Sequence, residues 1–357
     1  MNQTSTLEPR KDEKATQPGA PVLAPKRKPR DPFLDRQVYA IVQLLMTFLN
    51  LLPQRAALWF GRGVGWLYWR LDRRRRKLVL QHMEIAFRGE KTREEKERLC
   101  RQYFQHMALS VVEFARMRKL TRENVGALVD FSELKRFDDL LARGKGLLCV
   151  PAHHGNWELC GYSVSLMGYP LQSVARPIEN PYIDELVKEI RERSGNTIIE
   201  KWKVLWKLKK LLDKGGIVTM SVDQNGGNVG VFVPCFGTLA STISSPADLH
   251  IATGTPIIVS TLNRLPDGLH HVLRVWDVIE HPRSENREAD VKAVTARINA
   301  AIEKAVRTYP EQWLWGHKRW KTRPAGEVLG ADGLPPRVTA AIPEDCATAV
   351  AANVTTA

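Results

Sequence analysis

The chain has 357 residues, enough for one large domain or two smaller ones with a buried core. Its 53 Lys and Arg residues outnumber 39 Asp and Glu residues, and the net charge of +14 indicates an acidic partner: nucleic acid, an anionic membrane or a phosphorylated substrate. Ten tryptophans favour the membrane over nucleic acid, and five scattered cysteines without a Cys-x-x-Cys motif are typical of a reducing compartment.

The first 32 residues are rich in proline, lysine and arginine and carry little apolar surface. Such a segment cannot bury enough apolar area to offset the conformational entropy lost on folding. We therefore predict a disordered basic tail over 1–32, and its polar composition argues against a signal peptide.

Residues 33–78 are predicted to form a membrane-associated helical segment. The uncharged run 38–52 falls short of the ~20 residues that span a bilayer, so a core helix and a membrane anchor are both open. Aromatic residues typical of a membrane interface follow this run: Trp59, Trp66, Tyr68 and Trp69. Together with the basic cluster 73–77 they favour a helix that inserts in or across the membrane, with the cluster against anionic lipids on the cytoplasmic side. The alternate glycines of 61–65 lack the spacing of a dinucleotide fingerprint and indicate close helix packing.

Between residues 79 and 324, short apolar runs alternate with stretches of helical periodicity. The predicted strands are 147–150, 171–175, 217–222, 256–262 and 271–279. The predicted helices are 91–120, 184–193, 201–212 and 291–306. This alternation predicts an α/β domain with a mixed, mostly parallel sheet flanked by helices. Residues 325–357, rich in Ala, Val, Thr and Pro, are predicted to form a flexible C-terminal tail.

His153 lies where the predicted strand 147–150 leads into a helix, which is the usual place for a site in an open α/β sheet. If the helix begins near Asn156, Glu158 lies in its first turn and can reach back to His153. A carboxylate on the Nδ1–H of His153 leaves Nε2 free to accept a proton, as a general base does. A purely structural His–Glu pair has the same spacing, whereas a zinc helix needs two histidines at i and i+4.

Four sequence blocks give the chain its resemblance to a known family. They are His-His-Gly-Asn-Trp-Glu (153–158), Arg-Pro-Ile-Glu-Asn-Pro (176–181), Asp-Gln (223–224) followed by Val-Phe-Val-Pro-Cys-Phe-Gly (231–237), and Pro-Glu-Gln-Trp-Leu-Trp-Gly-His-Lys-Arg-Trp (310–320). In these blocks the chain resembles the bacterial lipid A biosynthesis (lauroyl/myristoyl) acyltransferases, within the wider glycerolipid and lysophospholipid acyltransferase group. The resemblance covers roughly residues 38–324. Cys235, the Ser-Ser-Pro of 244–246 and His82 depart from the family pattern and leave the acyl acceptor open.

The resemblance implies a membrane-associated O-acyltransferase at the cytoplasmic face of the bacterial inner membrane. A fatty acyl chain would move from an acyl thioester, of acyl carrier protein or coenzyme A, to a hydroxyl of a lipid A precursor or a related glycolipid or lysophospholipid. It implies His153 as general base and Glu158 as the residue that orients it. No metal, further cofactor or nucleic acid is expected.

The tetrahedral intermediate of acyl transfer carries an oxyanion and needs hydrogen-bond donors. The residues predicted to bind this oxyanion or the substrate are Arg176, Asp223, Gly155, Asn156 and Gln224. Arg176 and Asp223 each follow a predicted strand, but a structural salt bridge and a loop cap explain them equally well. The backbone N–H groups of Gly155 and Asn156 would face the acyl carbonyl, unless Gly155 serves only a tight turn. His154 is not expected to act as a base, and Lys318 and Arg319 would meet phosphate or the donor's phosphopantetheine, or simply form a solvated basic face.

Two alternatives belong to other classes of protein. A lipid hydrolase would use His153 on water, but the Gly-x-Ser-x-Gly motif of a serine nucleophile is absent from the sequence. A basic membrane-surface binding protein without catalysis would leave the His–Glu pair unexplained. The basic residues cluster near the apolar N-terminal segment and do not form the continuous stripe of a nucleic-acid-binding protein.

Overall fold

A computed structural model describes residues 30–201 and 204–338, and in them eleven α-helices and nine strands. The helices are α1 (Pro32–Leu51), α2 (Gln54–Leu71), α3 (Arg73–Ala86), α4 (Arg93–Arg116), α5 (Arg122–Val125), α6 (Lys135–Leu141), α7 (Trp157–Leu166), α8 (Pro181–Glu192), α9 (Leu205–Leu212), α10 (Ser245–Thr253) and α11 (Arg287–Thr308). The strands are β1 (Val129–Asp130), β2 (Leu147–Gly155), β3 (Leu171–Ala175), β4 (Thr197–Glu200), β5 (Ile217–Thr219), β6 (Val231–Cys235), β7 (Thr238–Thr242), β8 (Ile257–Arg264) and β9 (His271–Ile279). Most of the predicted tail 1–32, Trp202 in the predicted helix 201–212, and residues 339–357 lie outside the described residues.

Seven strands form one sheet in the order β1-β9-β8-β2-β5-β3-β4. Every neighbouring pair is parallel except β8 and β9, so the predicted mixed, mostly parallel sheet is confirmed. Helices cover both faces, and two hydrophobic clusters fill the space between helices and sheet. The sequence analysis did not predict β4 or the separate antiparallel hairpin of β6 and β7.

Strand β2 is longer than predicted, because it continues through Pro151 to Gly155. On one side it pairs with β8 as far as Gly155 opposite Leu262. On the other side its pairing with β5 ends at Cys149, whose carbonyl accepts the Met220 N–H (3.0 Å). Backbone groups of alternate residues face the same neighbouring strand, so Pro151, two residues after Cys149, also faces β5. Because proline has no N–H, the hydrogen-bond ladder between β2 and β5 cannot continue there. The sheet therefore splits between β2 and the segment after β5.

The N-terminal helices pack against the α/β domain through small residues. A Cβ atom added to Gly61 would lie 2.8 Å from the Val112 side chain, and one added to Gly65 would lie 2.6 Å from the Cα atom of Gln105. The predicted close packing is thus confirmed at Gly61 and Gly65, whereas Gly63 faces open space. This contact joins α2 to α4.

Helix α1 also contacts the block at 176–181. Asn180 caps α8 by accepting the Tyr182 N–H (3.0 Å), and its own amide donates to the Asp35 carbonyl (3.0 Å). Arg36 Nε donates to the Tyr182 hydroxyl (2.8 Å). The N-terminal segment therefore supports the wall of the domain next to Arg176.

Both α1 and α2 expose large apolar side chains. The most exposed are Phe33, Ile41, Leu44, Leu51, Trp59 and Leu71. None of the helices in the described ranges has the length and apolar content needed to cross a membrane.

The segment 325–338 belongs to the predicted C-terminal tail. Residues 325–338 contact the domain, because Val338 N–H donates to the Gly237 carbonyl (2.7 Å) and Arg88 donates to the Pro335 carbonyl (2.9 Å). Arg88 also forms an ion pair with Asp332 (3.4 Å). Polar contacts that the sequence pattern does not reveal thus link this stretch to the domain, and its flexibility stays a prediction.

Candidate active site

The split in the sheet opens into a cavity of about 1080 Å³. Its wall includes Pro151 and His153 on one side of the split, and Met220 and Val222 on the other. His153 is the seventh residue of β2, and its side chain is mostly but not fully covered. The break in pairing at Pro151 thus gives a polar side chain access to a pocket from the middle of a buried sheet.

The imidazole of His153 pairs with Asp223, which lies in the loop after β5. Nδ1–H of His153 donates to Oδ1 of Asp223 (2.6 Å), and the backbone N–H of His153 donates to Oδ2 (2.8 Å). A carboxylate accepts only, so the proton of the neutral imidazole lies on Nδ1 and the lone pair on Nε2. Gln224 Nε2 donates to that lone pair (3.3 Å). His153 therefore has the tautomer that a general base requires.

The prediction that Glu158 binds Nδ1 of His153 is wrong. Both carboxylate oxygens of Glu158 accept hydrogen bonds from Arg191 of α8, at 2.7 and 2.9 Å. Strand β2 runs on to Gly155 before α7 begins, so Glu158 lies on the side of α8, while Asp223 approaches His153 from the end of the neighbouring strand. The sequence analysis predicted that Asp223 contacts Arg176 or the substrate. The rule that carboxyl ends of parallel strands meet at one edge would have paired it with His153.

The contact between His153 and Asp223 raises the pKa of the histidine and lowers the pKa of the carboxyl group. Burial lowers the pKa of His153, but the charge of Asp223, its hydrogen bond and the charge of Glu158 together raise it above the usual 6.5. Burial raises the pKa of Asp223, but the charge and hydrogen bonds of His153 and the Trp313 N–H bring it down to about 2. Asp223 is thus a carboxylate at neutral pH and favours the imidazolium that forms when His153 accepts a proton.

The segment 310–320 fixes this pair in place. Trp313 Nε1 donates to Oδ2 of Asp223 (2.9 Å), and the Leu314 N–H donates to the His153 carbonyl (2.9 Å). Arg319 is almost fully buried and donates to the carbonyls of Gln224 (3.0 Å) and Ser241 (2.6 Å). Its predicted contact with phosphate is therefore wrong. The sequence analysis had also missed Trp313, which only the matching family block could have indicated.

Gly155 and Asn156 lie in the tight turn between β2 and α7. Gly155 has φ +64°, and a Cβ atom there would lie 1.9 Å from the Leu262 carbonyl oxygen, so the tight-turn interpretation is the right one. The Asn156 N–H donates to that same oxygen (2.9 Å), and the Asn156 amide donates to Glu113 (2.6 Å). Glu113 in turn pairs through both oxygens with the buried Arg264. The Asn156 N–H is therefore occupied and not available to an oxyanion, whereas the predicted contact of the Gly155 N–H stays a prediction.

Arg176 and His154 have contrasting environments. Arg176 is exposed at the end of β3 and lines the cavity together with Gln224, and no residue in 30–201 or 204–338 forms an ion pair with it. His154 is buried, with Nε2–H donating to the Tyr309 carbonyl (3.0 Å). Burial lowers the pKa of His154 to about 4, so its imidazole is neutral at pH 7. Across the described ranges, no three His, Cys, Asp or Glu side chains are arranged to hold a metal ion.

Comparison with known proteins places the chain in a family. The family model described as "Bacterial lipid A biosynthesis acyltransferase" matches residues 25–322. Among the similar curated proteins, the lipid A biosynthesis lauroyltransferase of Escherichia coli (strain K12) is 28% identical over 277 residues, covering 77% of this chain and 88% of the relative. The palmitoleoyltransferase of lipid A biosynthesis from the same strain is 27% identical over 297 residues, covering 77% and 94%. The phosphatidylinositol mannoside acyltransferase of Mycolicibacterium smegmatis is 23% identical over 212 residues, covering 57% and 66%. The chain therefore belongs to the bacterial lipid A biosynthesis acyltransferase family and is an acyltransferase.

Proposed function

We propose that this acyltransferase moves a fatty acyl chain from an acyl thioester to a hydroxyl of a lipid A precursor. The observation that carries the proposal is the His153–Asp223 pair at the cavity wall, with the Nε2 lone pair available to a ligand. The names of the relatives support a lipid acceptor. The donor is an acyl thioester of acyl carrier protein or of coenzyme A. Either thioester is consumed as a substrate, so no resident cofactor is part of the proposal.

The chemistry follows from the tautomer of His153. An acceptor hydroxyl takes the place of the Gln224 amide at Nε2, and its oxygen attacks the thioester carbonyl carbon as its proton passes to Nε2. The carbonyl oxygen becomes an oxyanion, and Asp223 stabilises the imidazolium. When the intermediate collapses, the C–S bond breaks and the thiolate leaves with the proton from His153. The products are an ester and a free thiol.

The cavity wall is suited to a hydrocarbon chain. Beside the polar residues around His153, it is lined by apolar side chains: Val174, Leu205, Trp206, Met220, Val222 and Val229. Each buried methylene of an acyl chain contributes about 0.8 kcal/mol to binding. The apolar wall thus supports binding of the fatty acyl group next to the base.

Arg176 is the proposed donor to the oxyanion. Its guanidinium lines the same cavity as His153 and lacks a carboxylate partner among the described residues, so it is available to an anion. Loss of such a donor lowers kcat by ~10²-fold. Glu158 acts at longer range: held by Arg191, its charge contributes to raising the pKa of His153.

We also propose that the enzyme works at the cytoplasmic face of the bacterial inner membrane. The exposed apolar side chains of α1 and α2 would contact the lipid, with the basic cluster 73–77 against anionic headgroups. A lipid acceptor stays in the membrane, so an enzyme held at its surface meets the acceptor without extracting it.

Mass spectrometry of reaction products tests the function. Purified protein in mixed micelles is incubated with an incompletely acylated lipid A precursor and with lauroyl-acyl carrier protein or lauroyl-coenzyme A. We expect the precursor to gain one lauroyl group, with one free thiol released per product, and His153→Ala to abolish both. Thiol release with free fatty acid and no acylated lipid would identify a hydrolase. The absence of turnover with either donor would refute transfer of a lauroyl group to this acceptor.

A further inference from the structure

We propose that His317 is a further catalytic residue, which donates a hydrogen bond from Nδ1–H to the oxyanion of the intermediate. The proposal rests on the acyl transfer set out above. His317 belongs to the segment 310–320 and lines the same cavity as His153, Gln224 and Asn225. The sequence analysis assigned it no role.

The hydrogen-bond partner of His317 determines its tautomer. The backbone N–H of Asn225 donates to Nε2 of His317 (2.9 Å). An amide N–H can only donate, so Nε2 carries the lone pair and the proton of the neutral ring is on Nδ1. No residue within the described ranges accepts a hydrogen bond from Nδ1. The ring therefore has a donor to offer to a ligand in the cavity.

The surroundings keep the ring of His317 neutral. Burial lowers its pKa; Asp223 opposes this, but the nearby His153 and Arg319 lower the pKa further, so that it lies below the usual 6.5. A neutral donor is useful here, because His153 becomes positively charged in the transition state and a second imidazolium nearby would repel it. Neutral imidazole is an effective donor to a developing oxyanion where its pKa is lowered in this way. Arg176 and His317 would then supply one charged and one neutral donor.

The loop of Asn225 has supports other than His317. Its side-chain amide donates to the Thr322 hydroxyl (2.9 Å), and Arg319 donates to the carbonyl of the preceding Gln224 (3.0 Å). A substitution at His317 that removes the bond to the Asn225 N–H therefore leaves the loop attached at two other points. This makes it possible to separate a catalytic role from an anchoring role.

Two amide substitutions each keep one half of the imidazole. In His317→Gln, the amide oxygen is three bonds from Cβ, as Nε2 is, so it can accept the Asn225 N–H but offers no donor at Nδ1. In His317→Asn, the amide nitrogen is two bonds from Cβ, as Nδ1 is, so it keeps the donor and loses the anchor. We expect kcat of His317→Gln to fall by ~10²-fold with KM changed by less than about threefold. We expect His317→Asn to keep kcat within about tenfold of the unsubstituted enzyme.

The assay is acyl transfer to the lipid A precursor, with the thermal unfolding midpoint of each variant as a check on folding. Near-normal kcat for His317→Gln together with a large loss for His317→Asn would make His317 a loop anchor and overturn the proposal. Equal losses in both variants, or a rise in KM without a fall in kcat, would overturn it as well. An unsubstituted enzyme without transfer activity would refute the proposed function itself, which is a different result from normal turnover in His317→Gln.

Discussion

Replacement of Asp223 by asparagine should reverse the tautomer of His153. Two donors, the His153 backbone N–H and Trp313 Nε1–H, meet at Oδ2 of Asp223. In Asp223→Asn, only the amide oxygen can accept from them, so the amide nitrogen takes the position of Oδ1. It then donates to Nδ1 of His153 and leaves the imidazole proton on Nε2. A ring with its proton on Nε2 cannot act as the base.

The size of the effect has two parts. The fall in the pKa of Asp223 from 3.8 to about 2 corresponds to roughly 2 kcal/mol of stabilisation of its charge by His153 and the other donors. If the same charge stabilises the imidazolium in the transition state by a similar amount, its loss slows the reaction by about 30-fold. Because the wrong tautomer adds to this, the expected loss in kcat approaches the ~10⁴-fold seen for the same carboxylate-to-amide change in serine proteases.

The assay is single-turnover acyl transfer at saturating donor, compared between Asp223→Asn and the matched variant Glu158→Gln. Because Glu158 makes no hydrogen bond to His153 and acts on it only through its charge, Glu158→Gln should lose less than about 30-fold. The reasoning is refuted if Asp223→Asn keeps more than a tenth of the normal rate, or if Glu158→Gln is the more damaging of the two.

Three further predictions concern pH, the turn and the membrane. The pKa of His153 is raised above 6.5, so kcat/KM should rise with pH through a midpoint above 6.5, and a midpoint below 6.5 in the pH–rate profile would contradict this. The contribution of His153 to the free energy of unfolding is complete below pH 6.5 and is lost as pH rises through the raised pKa. Gly155→Ala should lower the free energy of unfolding by more than about 3 kcal/mol, because Gly155 has a positive φ and its Cβ would meet the Leu262 carbonyl. Gly63→Ala, in open space on α2, should raise the free energy of unfolding by up to ~1 kcal/mol. Denaturant unfolding compares the two variants, and equal effects would refute this prediction. The double variant Leu44→Glu with Trp59→Glu, at side chains 73% and 77% exposed, should lower the affinity for anionic vesicles in a sedimentation assay by at least about tenfold. The control Val328→Glu, at a similarly exposed side chain of the C-terminal segment, should leave this affinity unchanged. Equal binding by both variants would show that another surface contacts the membrane.

Patterns within single segments predicted much of the fold. The strands 171–175 and 271–279 are found with the predicted bounds, and the helix 91–120 is present as α4, which a capping box of Thr92 and Glu95 begins. Helix α4 buries one stripe of its surface, so the spacing of its apolar residues carries the information. The strand β4 has only four residues and too little period to be recognised.

The site was predicted less completely because it depends on contacts between distant segments. His153 was found because it follows the predicted strand 147–150, but its partner Asp223 is 70 residues further along the chain and Trp313 is 90 residues beyond that. Glu158 was favoured because it is near in sequence, whereas Arg191 competes for it from α8. Only the order of strands in the sheet, which periodicity does not give, brings Asp223 beside β2.

The central claim, that Asp223 holds His153 as a base with its lone pair on Nε2, can be tested by ¹⁵N NMR of the histidine rings, with the His153 signals assigned by their loss in His153→Ala. The account predicts that Nδ1 of His153 stays protonated across the titration and that Nε2 titrates with a midpoint above 6.5. In Asp223→Asn the neutral ring should carry its proton on Nε2. An Nε2–H tautomer in the unsubstituted enzyme, or signals of His153 that Asp223→Asn leaves unchanged, would contradict the account.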